Sequence, residues 1–201
     1  MYLIIFLFVI FIIYNLFNNQ KEYFQPKLTI LGSVSLPNNK ENQYIFNQIL
    51  YLSHNLPSYH LLSTNAVGGL IGYLLNNITQ KDQLTTYTSK ELHIPLNKDY
   101  KIKTFNTDQD FENALINDGD AYLILPGGIG TLYELILILY RMSEKGVNKK
   151  IYLLNSGGFY DNILNHLNKI REKGLLRGDV GKRINDNLIV ESNIYNLLKS
   201  L

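Results

Sequence analysis

A chain of 201 residues with 46% hydrophobic and 18% charged side chains is long enough for one sizeable core, and its lack of cysteine excludes a disulfide framework, a thiol nucleophile and a cysteine-held metal. The formal net charge of +2 places no electrostatic demand for a nucleic-acid partner, and none is expected. His54, His60, His93 and His166 show none of the short spacings of a zinc site, so no metal or other cofactor is expected.

The first element is apolar. "MYLIIFLFVIFIIYNLF" would reach roughly 25 Å as a helix at about 1.5 Å per residue, close to a ~30 Å hydrocarbon core. Residues 1–18 are therefore read as an N-terminal hydrophobic helix that anchors the chain in a membrane as a single pass. A signal peptide is the rival, although the stretch has no Lys or Arg at its start and no small-residue cleavage pattern; a buried or associating helix is the third reading. Lys21 and Lys27 follow the span and orient the body toward the cytoplasm by charge bias. Residues 19–26, ending in Pro26, form a connector.

From residue 27 to 201 the pattern alternates strand and helix. "KLTIL" reads as a strand ending at Gly32, "GSVSLPNNKEN" as a loop, and Gln43 to Ser53 as an amphipathic helix. "YHLLST" is the next strand, and "VGGLIGYLLNN" a tight turn entering a second helix. "QLTTYTSKELHIPLNKDYKIKTF" reads as short strands joined by a loop, because Pro95 opposes a continuous helix. Asp108 to Asn117 is a short helix before the strand "DAYLIL". Helices at Ile129 to Ser143 and Tyr160 to Lys173, the strands "KKIYLL" and "NLIV", and a final helix in "SNIYNLLKSL" continue the alternation. "RGDVGKR", residues 177 to 183, mixes charges and reads as a solvated loop. The order predicts a doubly wound, mostly parallel, Rossmann-like α/β sheet.

The chemistry-bearing stretch is "LPGGIGTLYEL", residues 125 to 135. An apolar run before it places the turn at the carboxyl end of a buried strand, where open α/β sheets form their ligand crevice. Gly127, Gly128 and Gly130 permit close approach, the following helix offers unpaired amides, and Thr131 adds a hydroxyl, so these four form a candidate phosphate seat. Glu134 lies one turn into that helix. Its carboxylate could orient water, exchange a proton or stabilise positive charge on a ribose ring, or it could simply favour the helix dipole. Ser33, Asn65, Gly69 and Gly72 are further candidate nucleotide-binding positions, with loop or cap roles as their alternative.

"PGGIGTLYE" resembles the PGGxGTxxE signature of the LOG-like family, often labelled lysine-decarboxylase-like, matching at Pro126, Gly127, Gly128, Gly130, Thr131 and Glu134. "LGSVS", "GLIG" at Gly69 to Gly72, "KKIYLLNSGGFYDNILNHL", "REKGLL" and "NLIV" resemble further family elements, so the likeness covers most of residues 28 to 200. It implies that residues 27–201 form a nucleotide-binding domain. It also implies a nucleoside 5′-monophosphate as partner, hydrolysis of the N-glycosidic bond to free base and ribose 5-phosphate with Glu134 catalytic, and a homodimer. The broadly apolar "LYELILILYRM" is the expected face for a second copy.

Three departures stand beside the matches. Thr64-Asn65-Ala66 occupies the place of a GGG-containing strand end. "DFENAL", with Phe111 and Glu112, replaces the family's Arg-Lys element, and Leu137 replaces a second acidic residue. Arg141 is on a similar helical face to Glu134 but about 10 Å away by rise. A nucleotide-binding protein without turnover is thus the alternative function, and a structural membrane-associated dimer a further one.

Overall fold

The computed structural model describes residues 25–35, 42–93 and 95–201. In chain order the elements are β1 (Lys27–Leu31), α1 (Asn42–Asn55), β2 (His60–Thr64), α2 (Gly69–Asn77), β3 (Leu84–Ser89), β4 (Lys101–Phe105), α3 (Asp108–Asp118), β5 (Ala121–Ile124), α4 (Ile129–Lys145), β6 (Lys150–Leu154), α5 (Asp161–Glu172), α6 (Gly178–Asn187), β7 (Leu188–Glu191) and α7 (Ile194–Ser200). The strands form one sheet in the order β4-β3-β2-β1-β5-β6-β7, and every neighbouring pair is parallel. Strand order runs one way from β1 to β4 and the other way from β5 to β7. The reversal falls between β1 and β5.

Both faces of the sheet are covered, which is why its central strands are nearly continuous apolar runs. Leu28 and Ile30 of β1, Leu123 of β5 and Tyr152 and Leu154 of β6 pack with Ile49 and Leu52 of α1, Leu70 and Leu74 of α2 and Ile194 of α7. The intervening residues Leu31, Tyr122, Ile124, Ile151 and Leu153 meet Phe111 and Leu115 of α3, Leu135 and Ile138 of α4 and Val180 of α6 on the other face. Period-two alternation along each strand thus feeds two separate apolar layers.

Helix ends follow local chemistry. Thr107 caps α3, its hydroxyl accepting from the Asp110 amide at 3.1 Å. Gly146 ends α4 in the left-handed region at φ 66°, a conformation that favours glycine. Asp120 ties the start of β5 to β1, accepting from the Lys27 amide at 2.8 Å.

The structure corrects the sequence reading at two places. Residues 177 to 183 are not a loop, because Gly178–Asn187 is helical. Gly178 and Gly181 disfavour a helix by propensity, but Val180 and Ile184 lie one turn apart and bury 1% and 8% exposed against the sheet, and packing wins. The reading of a membrane-embedded, single-pass protein is also corrected. Among the described residues no helix is long and apolar enough to cross a membrane. The longest of them, α4, carries Glu134 and Arg141 and buries one face, with Thr131, Leu135, Ile138, Leu139 and Met142. The N-terminal hydrophobic helix assigned to residues 1–18 lies outside the described residues, as do residues 19–24 of the connector.

Candidate functional site

The site is built where strand order reverses, at the carboxyl ends of β1 and β5, the position at which open α/β sheets leave a crevice. Leu31 and Ile124 are register partners at those ends. Beyond them the two chains stay together: the Leu125 amide donates to the Leu31 carbonyl at 2.8 Å, and the Ser33 amide donates to the Pro126 carbonyl at 3.1 Å. The start of α2 closes on the same place, with the Ile71 amide donating to the Ser33 carbonyl at 3.1 Å.

Glycines make this three-way approach possible. Gly69 has φ 68°, and a Cβ there would strike the backbone of Ser33 and Val34. Gly72, inside α2, lies 2.5 Å by its notional Cβ from the Val67 carbonyl carbon. Both residues therefore serve the packing of α2 beneath the first loop. The Ser33 hydroxyl is turned onto its own loop, donating to the Ser35 carbonyl at 2.6 Å.

In the glycine turn the roles divide. Gly127 lies against the Thr131 side chain, with no room for a Cβ. Thr131 is only 4% exposed, so its side chain braces the turn from beneath. Gly128 and Gly130 look onto open space, with nothing within 4 Å of a notional Cβ. Gly128 caps α4 without a side chain, and the first intrahelical bond runs from the Leu132 amide to the Gly128 carbonyl at 3.0 Å. The amides of Ile129, Gly130 and Thr131 precede that bond and have no partner within the helix. Two open glycines thus leave these amides uncovered at the positive end of the helix dipole.

Glu134 follows one turn later, partly buried. Burial pushes its carboxyl up to about 7, and the negative charge of Glu112 on α3 adds to the rise. The group therefore changes charge near neutrality. Glu112 also accepts from the Tyr133 hydroxyl at 3.3 Å. No guanidinium replaces the repulsion: Arg141 is drawn onto α3, donating to Asn117 at 2.5 Å and to Asn113. Phe111 is 6% exposed within the core.

Ser33, Gly69 and the turn from Gly127 to Thr131 thus meet at one place, the carboxyl ends of β1 and β5, with Glu134 one helical turn further along α4. Asn65 is not presented to it. That residue is wholly buried, and its amide donates to Thr86 at 2.8 Å and to the Asn97 carbonyl at 2.9 Å while accepting from the Asn97 amide at 2.8 Å, pinning the loop before β4. In the sequence, Glu112 stands out only as part of the stretch that replaces the family's Arg-Lys element, and Tyr160 only as the start of a helix. The structure puts the Tyr160 hydroxyl under the turn, donating to the Leu125 carbonyl at 2.7 Å. Among the described residues no group of three or more His, Asp or Glu side chains gathers to hold a metal ion.

Fold and turn together define a doubly wound α/β protein with a glycine-rich turn at its switch point. Residues 64–193 match the family described as possible lysine decarboxylase, and the chain belongs to that family. It is 36% identical over 66 residues to a probable cytokinin riboside 5′-monophosphate phosphoribohydrolase of Oryza sativa subsp. japonica, covering 32% of this chain and 28% of the relative. A cytokinin riboside 5′-monophosphate phosphoribohydrolase of Arabidopsis thaliana is 32% identical over 77 residues, covering 38% of this chain and 36% of the relative. The chain thus spans about a third of the length of these curated relatives. In fold it is similar to the molybdenum cofactor carrier protein of Chlamydomonas reinhardtii, with TM-score 0.60 and 12% identity over 88% of this chain and 95% of the other. It is also similar to the molybdenum cofactor binding protein of Rippkaea orientalis, with TM-score 0.60 and 14% identity over 89% and 96% of the two chains.

Proposed function

We propose that the chain binds a nucleoside 5′-monophosphate at the glycine turn and hydrolyses its N-glycosidic bond. The observation that carries this reading is the placement of Glu134 one helical turn behind the open amides of Ile129, Gly130 and Thr131. The amides seat the 5′-phosphate, and the ionised Glu134 carboxylate faces the ribose, where it orients water and stabilises positive charge developing on the ring. The bond from C1′ to the base nitrogen breaks, the water hydroxyl joins C1′, and its proton goes to the base. Products are free base and ribose 5-phosphate. The names of the phosphoribohydrolase relatives support the same chemistry.

A second reading, binding without turnover, is favoured by Phe111. It fills with a buried ring the place of the family arginine, and Leu137, packed against the same core, takes that of a second acid. Calorimetric titration with AMP, GMP, CMP, UMP and a cytokinin ribotide, followed by chromatography of the same mixtures, separates the two. Base release abolished by Glu134→Gln supports the hydrolase, heat without base release supports the binding protein, and no heat with any nucleotide rejects both.

A further inference from the structure

We propose that Tyr160 is the positioning residue of the glycine turn, its hydroxyl holding the strand end from which the phosphate seat and Glu134 both project. The inference rests on the nucleotide reading for its functional consequence but not for its geometry. Tyr160 lies just before α5, in the connection that follows β6, the strand next to β5, and is 3% exposed. Its hydroxyl donates to the Leu125 carbonyl at 2.7 Å, immediately before Pro126 and the turn. That carbonyl lies under the turn, away from solvent, so losing its donor would leave a buried acceptor unmet.

The tyrosine is itself held. Its backbone amide donates to Asn155 Oδ1 at 2.7 Å, the Asn155 side chain donates to Asp161 at 2.7 Å, and the Asn155 amide donates to the Glu191 carbonyl of β7 at 2.8 Å. An unbroken path of hydrogen bonds thus runs from the sheet edge to the turn. Burial, and next the charge of Glu134, raise the hydroxyl well above the ordinary tyrosine range, while the adjoining Gly127 amide works against the rise. The hydroxyl therefore remains a donor at all ordinary pH and lies within electrostatic reach of both halves of the site. One side chain sets the height of the amides and the approach of the carboxylate together.

Tyr160→Phe keeps the ring and removes only the hydroxyl. Tyr122→Phe is the matched control: the Tyr122 hydroxyl, on the same strand, makes a buried bond to the Ile116 carbonyl of α3 at 2.6 Å rather than to the turn. Amide hydrogen exchange in the full chain should speed at Leu125, Ser33 and Leu132, the hydrogen-bonded amides that frame the turn, by about tenfold in Tyr160→Phe, the loss of one hydrogen bond, and not in Tyr122→Phe. In parallel, AMP should bind Tyr160→Phe about tenfold more weakly, with adenosine unchanged. Unchanged exchange at the turn, or equal acceleration in both variants, overturns the proposal. Wild-type protein that binds no nucleoside monophosphate overturns the functional reading instead, and the exchange comparison still decides the role of Tyr160.

Discussion

Glu112 on α3 stands close enough to Glu134 on α4 for its charge to oppose ionisation of the buried carboxyl, adding to the larger effect of burial. Because the folded-state value of Glu134, about 7, exceeds its unfolded value of 4.5, the native chain binds the extra proton between those limits. Stability falls as pH rises through that window, the penalty being complete above about 7. Glu134→Gln removes the penalty. At pH 8 the variant should be more stable than wild type by on the order of 2 kcal/mol in urea unfolding, the gap closing toward pH 5. A gap independent of pH would contradict the assignment.

The same pair governs turnover. If ionised Glu134 acts on the ribose, kcat/KM rises as pH passes about 7. Glu112→Gln deletes the smaller cause and leaves burial, so the midpoint should move down without reaching the ordinary carboxylate value. Glu112→Arg should move it further, since a guanidinium favours the charged form. Steady-state rates across pH 5 to 9 read both shifts.

The glycines of the turn separate by what surrounds them. Gly127→Ala places a methyl group into Thr131 and should cost more than 2 kcal/mol in thermal or urea unfolding. Gly128→Ala and Gly130→Ala meet nothing in the protein and should stay within about 0.5 kcal/mol of wild type. Both should still weaken nucleotide binding, because the methyl group occupies space the phosphate needs. Loss of affinity without loss of stability is the expected signature.

Gly69→Ala tests the packing of α2 under the first loop. A left-handed φ of 68° and a collision with the Ser33 and Val34 backbone make this substitution strained twice over. A loss of at least 2 kcal/mol is expected, together with faster proteolysis of residues 32–35.

Much of this was legible in the sequence because it is local. "KLTIL", "DAYLIL" and "KKIYLL" announce buried parallel strands by their mostly apolar character, and the turn between Leu125 and Glu134 announces a helix start at a strand end. What escaped is set by contacts between distant residues. Asn65 looks like a polar reader of a ligand until Thr86 and Asn97 claim its amide. Tyr160 reaches Leu125 across 35 residues, and no spacing rule anticipates that bond. In α6, two glycines concealed a helix that only tertiary burial stabilises. The stripe of Ile129, Tyr133, Ile136 and Tyr140 is exposed along α4, and the apolar count of that helix also includes the residues facing the sheet.

The pairing of β1 with β5 has a kinetic meaning. Lys27 and Asp120, which clasp the start of that pair, are 93 residues apart. Every wall of the crevice depends on closing that long loop, whereas β1 to β4 and β5 to β7 can each zip through shorter crossovers. The crevice should thus be the last part of the sheet to assemble, so that a ligand seated there reports completed folding and, by binding only the finished form, slows the reverse step of unfolding.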